Sequence, residues 1–90
     1  MSSASTDKQD QVRQFVERMT NEQRMLVVLK RELYEGSWAE MIEDLKARLE
    51  GRPYIFKLAH RIVDDLARIE QLRDFEKQAG VDLSQYVKEP

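Results

Sequence analysis

Pro53 to Gly80 reads PYIFKLAHRIVDDLARIEQLRDFEKQAG, and its apolar positions decide the fold. Ile55, Leu58, Ala59, Ile62, Leu66, Ile69, Leu72 and Phe75 recur at spacings of three and four. That rhythm keeps them on one face of a helix with about 3.6 residues per turn. Pro53 suits the first turn, where its missing N–H would be unpaired anyway. Gly80 suits the stop, because glycine enters the left-handed region without a Cβ clash, and Val81 beyond it is placed to touch Phe75 in a Schellman cap. Such a helix is about 40 Å long at about 1.5 Å per residue, roughly twice its neighbours. One short helix cannot cover it, so two must share it or a second chain must help. Phe56, Ala59, Val63 and Ala67 form a second, smaller stripe about 100° away on the wheel. That face is expected to receive the first helix or the same helix of another subunit.

Working towards the N-terminus, three shorter helices are predicted. Ser37 and Glu40 have capping-box spacing, and Trp38, Met41, Ile42, Leu45 and Leu49 then form a stripe that ends at Gly51. Glu40, Glu43 and Asp44 near its start and Lys46 and Arg48 near its end complement the helix dipole. Thr20 and Gln23 repeat the capping-box spacing and start a helix near Asn21 that Gly36 ends. Met25 to Leu29 cover most of that helix's circumference, which predicts a central element contacted from several sides. Thr6 or Asp7 can cap a first helix to about Met19, with Val12, Phe15, Val16 and Met19 on one stripe. Residues 1–5 are read as a disordered lead-in, 6–80 as one helical domain, and 81–90 as a tail adding a short helical turn. Linkers of two or three residues favour antiparallel neighbours. The expected fold is therefore all-α: a small four-helix, mostly antiparallel bundle with a long C-terminal helix.

Composition narrows the function classes. Ninety residues with 41% apolar and 36% charged side chains supply one core and a densely charged exterior. The absence of cysteine removes disulfides, thiolate nucleophiles and cysteine-based metal sites. No apolar run exceeds Met25–Leu29, against about 20 residues for a membrane span, and no charged-then-apolar leader opens the chain. A cytoplasmic protein with no membrane association is expected. Fifteen basic and seventeen acidic residues are intermixed, so no global field steers the chain to nucleic acid.

No catalytic site emerges. His60 and Asp64 stand four apart on one helix face, but Lys57 and Val63 occupy the positions where a metal-binding histidine would need carboxylate company. Asp64 and Asp65 are adjacent and point about 100° apart, so they cannot act as a close carboxylate pair. Asp64 with Arg68, Arg61 with Asp65, and Asp44 with Arg48 are opposite charges four apart, the pattern of a solvated helix face. No enzyme, cofactor or metal is expected.

Two binding readings remain. Ser37 to Leu66 has helix-turn-helix grammar, in which Arg52, Tyr54, Lys57, His60 and Arg61 at the start of the second helix would meet phosphates and base edges. Against it, the positive charges are few, Asp64 and Asp65 follow at once, and Ile55 and Phe56 are wasted on a polar groove. The favoured reading is a protein-interaction or structural module that self-associates through its long fourth helix. Its partner, another protein or a second copy, would be met by Tyr34, Tyr54, Phe56, Val63, Leu72 and Phe75, since partly exposed aromatics beside arginines are the usual interface anchors.

Overall fold

The computed structural model describes residues 3–51 and 56–87, with side chains described over 8–51 and 59–87. Four helices account for most of it: α1 (Ser3–Arg18), α2 (Asn21–Leu33), α3 (Trp38–Gly51) and α4 (Phe56–Ala79). A single 3₁₀ turn follows at Leu83–Gln85, and no strand occurs among the described residues. The fold is all-α. Its extents of 56 × 22 × 22 Å make it elongated.

Each helix boundary has a local cause. Thr20 caps α2 with a full capping box: its hydroxyl accepts from Gln23 N–H at 3.2 Å, and its own N–H donates to Gln23 Oε1 at 2.8 Å. The second box is only half built. Glu40 N–H donates to Ser37 Oγ at 3.2 Å, but Ser37 N–H is spent on the Tyr34 carbonyl at 2.9 Å. The reason lies in the corner between α2 and α3. α2 stops at Leu33, three residues before Gly36, and Glu35 and Gly36 both take left-handed backbone, with φ of 51° and 81°. Two such residues in succession reverse the chain sharply and send the N–H groups of Tyr34 and Gly36 back to the Lys30 carbonyl. Gly80 closes α4 at φ 68°, and the N–H groups of Gly80 and Val81 both return to Glu76. The bond from Val81 is the long one of a Schellman cap.

α1 begins at Ser3, so the expected disordered lead-in shortens: Ser3, Ala4 and Ser5 belong to the helix. None of the three breaks a helix, and serine costs only about 0.5 kcal/mol there relative to alanine. At its other end Arg24 folds back and donates to the carbonyls of Val16 and Met19. A cation on these carbonyls at the C-terminal end of α1, the first of which also accepts the Met19 N–H, fixes the corner between α1 and α2.

The core runs through α2, α3, α4 and the tail, with Phe15 and Val16 of α1 packed against it. Met19, Leu26, Val27, Trp38, Met41, Leu45, Ile62, Ile69, Leu72, Leu83 and Val87 form one buried cluster. α4 rather than α2 is its centre, with Ile69 and Leu72 wholly enclosed. The expectation of α2 contacted on every side is corrected accordingly. Leu26 and Val27 are buried, Val28 and Leu29 are partly so, and Met25 is 44% exposed. Its apolar run spans more of the wheel than its neighbours can reach.

Candidate functional site

The long helix is covered unevenly along its length, and that contrast defines the candidate surfaces. Its C-terminal half is closed from within the chain. Phe15 of α1 stacks on Phe75 with ring centroids 3.8 Å apart and planes 6° from parallel. Leu83 and Val87 of the tail enter the core beside Ile69 and Leu72. The short turn expected in the tail is the 3₁₀ turn that carries Leu83 inward.

A buried polar cluster pins this end. Lys30 is only 2% exposed although it carries a charge. Its Nζ lies 3.1 Å from Asp82 Oδ1, 3.4 Å from Glu76 Oε2 and 4.7 Å from the centroid of the Trp38 ring it sits over. Glu76 in turn accepts the Trp38 indole N–H on Oε1 and the Leu83 N–H on Oε2, the latter at 2.7 Å. Next to it, Arg31 donates through Nη1 to the carbonyls of Ser84 and Val87 at 3.0 and 2.8 Å. A buried cation is tolerated only when paired and hydrogen-bonded, and Lys30 meets both conditions. Partial burial pushes the Asp82 carboxyl up, but the Ser84 hydroxyl and N–H, together with Lys30, outweigh it and hold Asp82 below its ordinary value.

The N-terminal half of α4 is open. A groove of about 740 Å³ runs between it and α2. Met25, Leu26 and Leu29 give the groove apolar lining from α2, while α4 contributes His60, Arg61, Asp64, Asp65 and Arg68. Here the expected charge pairs are redistributed. His60 Nδ1 lies 3.6 Å from Asp64 Oδ2, and Arg68 pairs with Asp65 at 2.9 Å, one residue closer in sequence than the Asp64 it was expected to meet. Both pairs are partly exposed and contribute little, about 0.5 kcal/mol or less each. Among the described residues Arg61 has no ion-pair partner. Elsewhere on α4, outside the groove lining, Val63 is 50% exposed and Ala67 is exposed.

The residues expected to meet a partner are thus scattered. Leu72 is completely buried and offers no surface, and Phe75 spends its ring on Phe15. Tyr34 is half-buried and donates its hydroxyl to Asp44, which also pairs with Arg48 at 3.2 Å. That hydrogen bond, helped by burial and by the Asp44 charge, raises the Tyr34 phenol above its ordinary value against the opposing pull of Arg48. Val63 is half exposed, but on a face of α4 that does not line the groove. Tyr54 and Arg52 lie outside the described residues, as do the side chains of Phe56 and Lys57. His60 and Arg61 are exposed on the groove. Among the described residues no cluster of three or more His, Asp or Glu is placed to hold a metal, and no helix is long and apolar enough to cross a membrane.

Sequence reasoning missed the Lys30 cluster, yet a signal was there. Lys30 follows Val27 by three and Leu26 by four, and Glu76 follows Leu72 by four, so both charges sit on buried stripes. Opposite charges on two apolar stripes are candidates to meet. The chain matches no protein-family model, no curated protein and no solved structure.

Proposed function

We propose that the chain is a small protein-interaction module that pairs with a second copy of itself through the open half of α4 and the adjoining face of α2. One observation carries this reading: Ile69 and Leu72 at one end of α4 are fully enclosed, while against the other end a groove stands open, lined from α2 by Met25, which is 44% exposed. Apolar side chains flanking an open groove are the usual mark of a docking surface, and methionine adapts readily to an incoming shape.

Charge favours a like partner. The rim carries Glu22, Asp64 and Asp65 against Arg61 and Arg68. A rim of mixed sign can be complementary to itself across a two-fold axis, whereas a partner of one sign would be repelled by part of it. Arg61, with no ion-pair partner among the described residues, is the group such pairing would satisfy. A cytoplasmic location belongs to the same proposal and fits the lack of cysteine.

The alternative, duplex binding by the start of α4, draws on the same face with less support. Arg61 shares the groove with two aspartates, and His60 is drawn to Asp64. Duplex binding at about 50 mM salt that weakens steeply as salt rises would favour that alternative.

Solution mass tests the main reading. The 10.7 kDa chain is expected to sediment as a concentration-dependent dimer. Met25→Asp should return it to a monomer with its helix content intact, since that position lines the groove and is already 44% exposed. A monomer at several hundred micromolar, roughly the upper range for a specific weak pair, ends the proposal.

A further inference from the structure

The segment after α4 is held as a bound peptide is held. Leu83 and Val87 fill the core, while the body grips the backbone between and beside them: Glu76 takes the Leu83 N–H, and Arg31 takes the Ser84 and Val87 carbonyls. Lys30 reads the acidic side chain at Asp82. The turn organises itself, since Asp82 Oδ1 accepts both the N–H and the hydroxyl of Ser84, at 2.9 and 2.7 Å. Recognition therefore falls on an acidic residue, a leucine directly after it, and an aliphatic residue four positions beyond that leucine.

The receiving side keeps partners of its own. Without the tail, Lys30 retains Glu76 and the Trp38 ring, Glu76 retains Lys30 and the Trp38 indole, and Arg31 retains Glu32. Stranded charge is the usual obstacle to opening a buried polar contact, and none is created here. The tether is Gly80, already outside the helix at φ 68°, so the tail can leave without unwinding α4.

We infer that Asp82–Val87 is a strap occupying a peptide-binding site in cis, and that this site takes in trans a peptide of the same chemistry. The ligand class is a short segment with an acidic residue, an adjacent leucine and a small aliphatic residue four positions further on, wound into one 3₁₀ turn. This inference stands apart from self-association through the groove, which lies on the other half of α4.

Two measurements on the full chain test it. In native-state hydrogen exchange, the amides of Leu83 and Val87, both hydrogen-bonded, should exchange about tenfold or more faster than those of Ile69 and Leu72. Equal protection means that the tail opens only with global unfolding, and overturns the strap. In the second measurement, a synthetic peptide copying residues 81–90 is titrated onto the full chain carrying Leu83→Ala and Val87→Ala, reading the fluorescence of Trp38, the single tryptophan. Weakening the strap should lower the half-saturating peptide concentration about tenfold or more relative to the unaltered chain, because a tethered competitor has been loosened. Adding Arg31→Ala should abolish the response. Absent saturation, equal binding to both chains, or binding indifferent to Arg31 overturns the site. If the double variant fails to fold, Asp82→Asn replaces it, loosening only the exposed end of the strap, with the same outcomes deciding.

Discussion

Ile62, Ile69 and Leu72 are all buried, while Val63, one residue along from the first of them, stands half exposed, and the two halves of α4 differ in what surrounds such positions. Around the C-terminal half the chain supplies an aromatic stack, a tail plugged in by Leu83 and Val87, and a paired lysine. Around the N-terminal half it supplies α2 on one side of an open groove and partly exposed ion pairs. The lesson is that periodicity specifies which side chains seek cover. Which of them find it depends on where the preceding and following segments can reach.

Substitutions that treat the halves alike should expose the difference. Leu72→Ala should cost about 3 kcal/mol in urea unfolding, the usual range for a leucine in a closed core. Val63→Ala should cost less than about 0.5 kcal/mol by the same measurement. Equal losses would erase the contrast between the halves. Lys30→Ala comes next, at about 2 kcal/mol or more, because Glu76 stays buried with its cation gone. Phe15→Leu removes the stack on Phe75 but keeps much of the apolar contact, and about 1 kcal/mol should be lost.

The smallest effects sharpen the comparison through pH. Asp82 is held below its ordinary value in the folded chain, so its contribution is complete above about pH 4 and is lost as pH falls through the lower folded value. Asp82→Asn should flatten that acid limb in a stability profile, with a change of under about 1 kcal/mol at neutral pH for so exposed an ion pair. Tyr34 shifts the opposite way. Its contribution is complete below about pH 10 and is lost as pH rises through the higher folded value, and Tyr34→Phe should remove that alkaline dependence.

Much of the fold was legible because local and tertiary demands agree. In α3 the Ser37 hydroxyl, the stripe from Trp38 to Leu49 and the charge gradient all point to one element, and it appears with the expected ends. The start of α1 was misplaced because Ser3 to Ser5 have no apolar pattern, and their helical state follows from continuity with the turns after them. α2 was read as central because Met25 to Leu29 are apolar all round. Periodicity cannot say that one side of such a helix will be left without a neighbour.

The candidate surfaces were only half legible. The second stripe on α4 did direct attention to Val63, which is half exposed, but not to the groove, whose lining on α4 is His60, Arg61, Asp64, Asp65 and Arg68. Leu72 and Phe75 were assigned to a partner because the sequence could not show that Phe15 and the tail would reach them first. The Lys30 cluster required pairing one charged stripe position with another forty-six residues away. No local rule selects that pairing.

The enclosure of Lys30 also has a chemical consequence. An amine must be reachable to attack an acylating reagent, and this one is not while it lies over Trp38 between two carboxylates. Lys8, Lys46 and Lys77 are exposed and should acylate rapidly. Lys30 should react last of the four, and the rate at which its mass tag appears would clock how often that end of the molecule opens to a small electrophile.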